Sequence, residues 1–122
     1  MGDKAVIIAL EGPLGVGKTT FTKCLARAMG IKDVVLSPTF TLHSEYGVLD
    51  HIDLWRIEDP QELIALGLDK MIAAKKVIVI EWAEKTREQI FQFKSQAIII
   101  WVRFEYGNKE NERRIEYEDL SN

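Results

Sequence analysis

The chain has 122 residues, 47% hydrophobic and 29% charged, with a formal net charge of -3. That length suits one domain with an ordinary core, and the mildly acidic balance lacks the global positive field on which non-specific nucleic-acid binding depends. A single cysteine, Cys24, excludes an intramolecular disulfide and a cysteine-based zinc centre; with no signal-peptide pattern and no apolar run of about 18 residues, a cytoplasmic protein that does not enter the membrane is expected.

In chain order, Ala5 to Leu10 is a six-residue apolar run that reads as a strand. It leads into Glu11-Gly12-Pro13-Leu14-Gly15-Val16-Gly17-Lys18-Thr19-Thr20, which meets G-x-x-x-x-G-K-[ST] at every fixed position. Glycines at 12, 15 and 17 let successive backbone N–H groups turn inward as an anion nest, and the helix starting near Lys18 aims its N-terminal N–H groups at the same point. Gly12, Pro13, Leu14, Gly15, Val16, Gly17, Lys18, Thr19 and Thr20 are therefore the expected phosphate cradle. Lys18 is expected to reach the β- and γ-phosphates and the Thr19 hydroxyl to meet Mg²⁺. The helix continues with Phe21, Leu25, Ala28 and Met29 on one face, Thr22, Lys23 and Arg27 on the other, and Gly30 at its end. Cys24 lies beside the apolar face and is read as a packing residue.

Val34-Val35-Leu36 reads as a short strand, broken by Ser37-Pro38-Thr39-Phe40. The β-rich segments Phe40 to Tyr46 and Val48 to Leu54 flank Gly47 and predict a hairpin. Alternation puts His51 and Asp53 on one face and Ile52 and Leu54 on the other, a pattern that by itself reads as the wet side of an antiparallel sheet. Asp59-Pro60-Gln61-Glu62 predicts a helix start, with a carboxylate cap, proline at the first position and an acid two residues on. Gly67 ends that helix, and Asp69 is expected to cap a second one through Ala74. Val77 to Ile80 is a continuous β-branched run that predicts a strand buried on both faces, and it delivers Glu81 to its carboxyl end, where open α/β sheets bind ligands. Lys85 to Phe91 predicts a short helix, Gln96 to Phe104 a strand, Asn108 to Asn111 a turn and Arg113 to Tyr117 an edge strand.

The nucleotide is not guanine on these residues. Asn108-Lys109-Glu110-Asn111 carries an amide where a guanine-binding motif needs a carboxylate, and Asp53 is followed by Leu54-Trp55-Arg56 rather than x-x-G. A small-molecule kinase remains as an alternative, although the short connections leave little room for a lid and an acceptor pocket. A nucleotide-sensing module without turnover is the other alternative.

The ordered set of Gly12 to Thr19, Ser37-Pro38-Thr39-Phe40, His51-Ile52-Asp53-Leu54-Trp55-Arg56, Glu58 to Leu63, Gly67-Leu68 and Ile80-Glu81-Trp82 resembles the TsaE family (older name YjeE). These are small P-loop ATPases of bacterial tRNA threonylcarbamoyladenosine synthesis. The resemblance is close from Ala5 to Trp82 and loose from Ala97 to Tyr117. It implies an α/β, three-layer P-loop NTPase fold: a mixed, mainly parallel central sheet, helices on both faces and an antiparallel hairpin and edge. It further implies ATP and Mg²⁺ as cofactors, with Lys18, Thr39, Asp53 and Glu81 as catalytic residues and Thr19, Asp53 and Glu81 toward the metal. Thr39 would act as a switch residue and Glu81 as the Walker B carboxylate, a position where Asp is the commoner residue. Asp53 thereby moves from the wet face to the site. The implied partners are the TsaD and TsaB proteins, with tRNA met only through their complex, and the chain alone is expected to be a monomer that turns over slowly. Residues 1–122 are expected to form one P-loop domain lacking the N-terminal strand and helix that family members usually carry.

Overall fold

The computed structural model describes residues 4–13, 17–32, 42–109 and 112–120. Six strands form one sheet in the order β2-β3-β4-β1-β5-β6. The strands are β1 (Ala5–Glu11), β2 (His43–Tyr46), β3 (Leu49–Asp53), β4 (Val77–Glu81), β5 (Ala97–Tyr106) and β6 (Arg113–Asp119). The inner four, β3, β4, β1 and β5, run parallel, while β2 and β6 pair antiparallel at the two edges. This is the mixed, mainly parallel sheet that the sequence predicts. Among the described residues the helices are α1 (Lys18–Ala28), α2 (Glu62–Ala65), α3 (Leu68–Ala73) and α4 (Arg87–Phe91), with a 3₁₀ turn over Ala83–Thr86 running into α4.

The period-2 alternation of the strands splits the core into two layers. On one face of the sheet, Ile7, Ala9, Ile52, Ile78, Ile80, Ile99 and Trp101 pack with Leu63 of α2, Leu68, Met71 and Ile72 of α3 and Ile90 of α4. On the other, Leu10, Leu49, Val77, Val79, Val102 and Phe104 pack with Ala26, Phe21, Leu25 and Met29 from α1. Phe21 meets Phe104 edge to face with centroids 5.8 Å apart. All five residues of β4 are buried, as expected for a parallel strand covered on both sides.

Several local expectations change. The buried stripe of α1 is Lys18, Thr22 and Ala26, with Phe21 and Leu25 only partly covered beside it and Ala28 exposed. Thr22 can enter the core because its hydroxyl donates to the Lys18 carbonyl at 3.1 Å, leaving the methyl to pack. Cys24 lies two residues from both Thr22 and Ala26, about 200° around the helix, and it is exposed rather than packed. Asp69 falls inside the first turn of α3, and Gly67, at φ +96°, occupies the cap. A positive φ there lets the chain leave α2 and re-enter α3 without the cost a side chain would bring. The expected Lys85–Phe91 helix is divided into the 3₁₀ turn and α4, and β5 and β6 each extend two residues further than predicted. The expected strand Val34-Val35-Leu36, the Ser37 to Phe40 break and part of the Asn108–Asn111 turn lie outside the described residues.

Candidate active site

Parallel pairing brings three strand ends together. Register places Leu10 of β1 and Asp53 of β3 on either side of Glu81, the last residue of β4. Gly12 and Pro13 follow β1, and α1 begins at Lys18 after Gly17, whose φ of +111° is costly for any residue with a Cβ. Gly12 is buried and Pro13 exposed, while Leu14, Gly15, Val16 and the expected switch residue Thr39 lie outside the described residues.

Alternation turns Glu81 toward α1, on the side of Val77 and Val79. There the Thr19 hydroxyl donates to Glu81 Oε1 at 3.1 Å and approaches Oε2 at 3.4 Å. His51 Nε2 lies 2.5 Å from Glu81 Oε2. A carboxylate accepts, so the imidazole presents its Nε2 N–H there. Its Nδ1 is buried with no hydrogen-bond partner. His51 is fully buried, because β3 is an internal strand between β2 and β4 and Leu49 to Ile52 are all covered. The wet-face reading therefore fails for His51. Asp53 is partly buried, and its Oδ1 accepts from the Trp55 N–H at 2.9 Å.

Lys18 is 4% exposed. Its ammonium donates to the Gly12 carbonyl and sits 3.3 Å from the centre of the Trp82 ring. Trp82 reaches that place through a left-handed backbone at φ +60°, a conformation a bulky side chain rarely adopts. Its ring packs against Trp55, centroids 4.6 Å apart. Burial pushes the Lys18 ammonium below the usual lysine range, and the carboxylates of Glu84, Glu81 and Asp53 pull it back up. Burial also raises the Asp53 carboxyl; the Trp55 N–H opposes this, the Glu81 charge adds to it, and His51 and Lys18 lower it. Glu84, on the turn after β4, is raised by burial and by Glu11, and lowered by backbone N–H groups, including that of Gly12, and by Lys18.

Of the predicted residues, Gly12, Gly17, Lys18, Thr19, Asp53 and Glu81 are thus gathered at one end of the sheet, with Thr20 exposed on α1. His51, Trp82 and Glu84 join them without having been assigned to the site. For His51 a signal existed, since it shares a strand face with Asp53. Trp82 stands in the Ile80-Glu81-Trp82 motif, but its place over Lys18, like that of Glu84 near Gly12, depends on how the chain turns after β4.

The donor set, one hydroxyl and two carboxylates, is all hard oxygen, as Mg²⁺ requires. Among the described residues no group of three His, Cys, Asp or Glu side chains could hold a metal alone. Mg²⁺ takes one or two carboxylates and completes its shell from phosphate and water. Lys18 supplies a desolvated cation beside backbone N–H donors, a combination that stabilises charge developing on a phosphoryl group.

Residues 1–115 match the family described as threonylcarbamoyl adenosine biosynthesis protein TsaE. The tRNA threonylcarbamoyladenosine biosynthesis protein TsaE of Bacillus subtilis is 46% identical over 97 residues, covering 76% of this chain and 60% of that protein. The protein of the same name from Haemophilus influenzae is 39% identical over 87 residues, covering 68% of this chain and 55% of that one. The matched stretch is therefore less than two thirds of the length of either relative. A crystal structure of Bacillus subtilis YdiB superposes with a TM-score of 0.72 at 28% identity, covering 99% of this chain and 72% of that one.

Proposed function

Because the chain belongs to the TsaE family, we propose that it is a Mg²⁺-dependent ATPase, slow when alone, that supports tRNA threonylcarbamoyladenosine formation together with TsaD and TsaB. One observation carries the reading: the hydrogen bond from Thr19, at the start of the P-loop helix, to Glu81 at the end of β4, with Asp53 on the neighbouring strand end. P-loop hydrolases need that pairing of a helix-start hydroxyl with a strand-end carboxylate to hold a metal beside the phosphates. Mg²⁺, when bound, neutralises charge on the β- and γ-phosphate oxygens.

The remaining work falls to the chain's own groups. Gly12 and Gly17 leave the loop backbone clear for phosphate, and the first N–H groups of α1 face it. Lys18 swings from the Gly12 carbonyl to the phosphates, exchanging one oxygen partner for charged ones. Thr19 and Glu81 hold the metal side, with His51 fixing the Glu81 carboxylate. Asp53, partly exposed and with its carboxyl raised by burial, orients the attacking water and takes up its proton in this reading. Thr39 is the switch residue that the family resemblance implies. The function is timing: hydrolysis resets the association with TsaD and TsaB and leaves the carbamoyl chemistry to them.

Phosphate release from ATP and Mg²⁺ without any acceptor supports this reading, and release that requires a small-molecule acceptor supports the kinase instead. Lys18→Ala and Glu81→Gln are each expected to lower the rate roughly 10²- to 10³-fold. Parent rates in both variants refute the site. Pull-down with TsaB and TsaD in the presence of ATP tests the partners.

A further inference from the structure

We propose that Trp55 is a positioning residue of the phosphate site: its ring props Trp82 as a cover over the Lys18 ammonium, and nucleotide must part that cover to bind. The inference rests on the reading of Lys18 as the group that meets the phosphates of ATP.

Side chains from α1, from the turn after β3 and from the turn after β4 form one continuous stack. Lys18 Nζ stands 3.3 Å from the centre of the Trp82 ring. The Trp82 and Trp55 rings have centroids 4.6 Å apart at an interplanar angle of 43°. Lys85 Nζ lies 5.6 Å from the centre of the Trp55 ring. A cation thus closes each end of a pair of indoles. An ammonium only donates. At Lys18 it donates to the Gly12 carbonyl, and its side toward Trp82 is covered. With the ring centre 3.3 Å away, a phosphate oxygen at hydrogen-bonding distance on that side would collide with the ring. Ring and ammonium must therefore separate before phosphate can bind there.

The members of the stack are not held alike. Trp55 is fixed through its backbone: its N–H donates to Asp53 Oδ1 at 2.9 Å, and its carbonyl accepts from Lys85 Nζ at 2.5 Å. Just before it, the Leu54 N–H donates to the Glu81 carbonyl at 3.1 Å. Trp82 is strained, at φ +60°, a backbone state that a bulky side chain keeps only where its surroundings over-determine it. The Trp82 carbonyl accepts from the Lys85 N–H at 3.2 Å, so the residue that anchors Trp55 is itself tied to Trp82. Lys18, by contrast, carries its charge on a flexible stem. Trp55 is the fixed wall, Trp82 is pressed against it, and Lys18 is the part that can give way. Removing the Trp55 ring lets Trp82 fall back into the vacated space and uncovers the ammonium, while the backbone contacts of residue 55 remain. A cation–π contact of a desolvated ammonium corresponds to a factor of about ten in an equilibrium, which sets the size of the effect.

Acetylation of the nucleotide-free 122-residue chain by acetic anhydride, read by mass spectrometry, tests the cover directly. Lys76, ion-paired to Glu45 and Asp50 beside the opposite end of β4, is the internal reference. Relative to Lys76, Trp55→Ala is expected to raise Lys18 labelling about five- to tenfold, whereas Trp55→Phe, which keeps a ring, stays near the parent. Calorimetric titration with ATP is expected to give a Kd about three- to tenfold tighter for Trp55→Ala. Trp82→Ala is expected to show the same gain, and the double variant no further gain, since Trp55 acts only through Trp82. A merely loosened fold would raise labelling at both lysines and weaken ATP binding. Unchanged Lys18 labelling in Trp55→Ala, weaker ATP binding, or gains that add in the double variant overturn the proposal. If labelling and Kd both shift as expected but the parent releases no phosphate from ATP, the ATPase reading fails and the role of Trp55 stands.

Discussion

His51→Ala is the most informative single change. The imidazole is fully buried in the layer between α1 and the sheet, and its Nε2 holds Glu81 Oε2 at 2.5 Å. Removing it deletes a hydrogen bond to a charged group, of the order of 1.5–3 kcal/mol. The cavity left behind adds about 1 kcal/mol, while loss of the unpartnered Nδ1 returns part of that cost. The net expectation is a loss of about 2–4 kcal/mol, a large share of a typical domain stability of roughly 5–15 kcal/mol. At about 4 °C per kcal/mol for a chain of this size, Tm falls by about 8–16 °C. Urea unfolding of parent, His51→Ala, Glu81→Gln and the double variant measures the coupling, expected at about 1–2 kcal/mol. ATP turnover in His51→Ala is expected to fall about tenfold with little change in ATP affinity, because Thr19 still tethers Glu81 while the carboxylate loses its fixed orientation. Additive stabilities, or a loss under about 0.5 kcal/mol, would refute the idea that His51 positions the carboxylate.

ATP binding is expected to change tryptophan fluorescence, since Lys18 leaves the face of Trp82 when it turns to phosphate; Trp82→Phe should remove most of that change while binding persists. Native protein is expected to react with a thiol reagent at one equivalent, through the exposed Cys24, as fast as denatured protein does; slow native labelling would mean the thiol is packed. Asp53→Asn is expected to be more stable than the parent at neutral pH and far less active. The raised pKa means the folded chain keeps a proton that the unfolded chain releases. Stability therefore falls as pH climbs from the ordinary value of 3.8 through the folded one, and the difference between parent and variant closes below 3.8. Unfolding curves taken across acid pH check the sign.

The sequence by itself determined the P-loop, the helix that follows it, the hairpin around Gly47, the doubly buried β4 and the placing of Glu81 at its end. Each of these rests on local chemistry: glycine φ, helical periodicity or β-branched runs. It also supplied the family, because that resemblance is carried by short ordered motifs. Which face of each element is covered is not local. Thr22, which counted as polar, goes inside by bonding to Lys18, whereas Cys24, which counted as apolar, lies outside by helical geometry. His51 looked like half of a solvated strand face until strand order put β3 between β2 and β4. Trp82 over Lys18, and Glu84 beside the loop, depend on one left-handed residue after β4 that no spacing announces. Sequence set the periods and the special residues; tertiary structure decided what stood across from each, because burial and pairing are properties of neighbours distant along the chain.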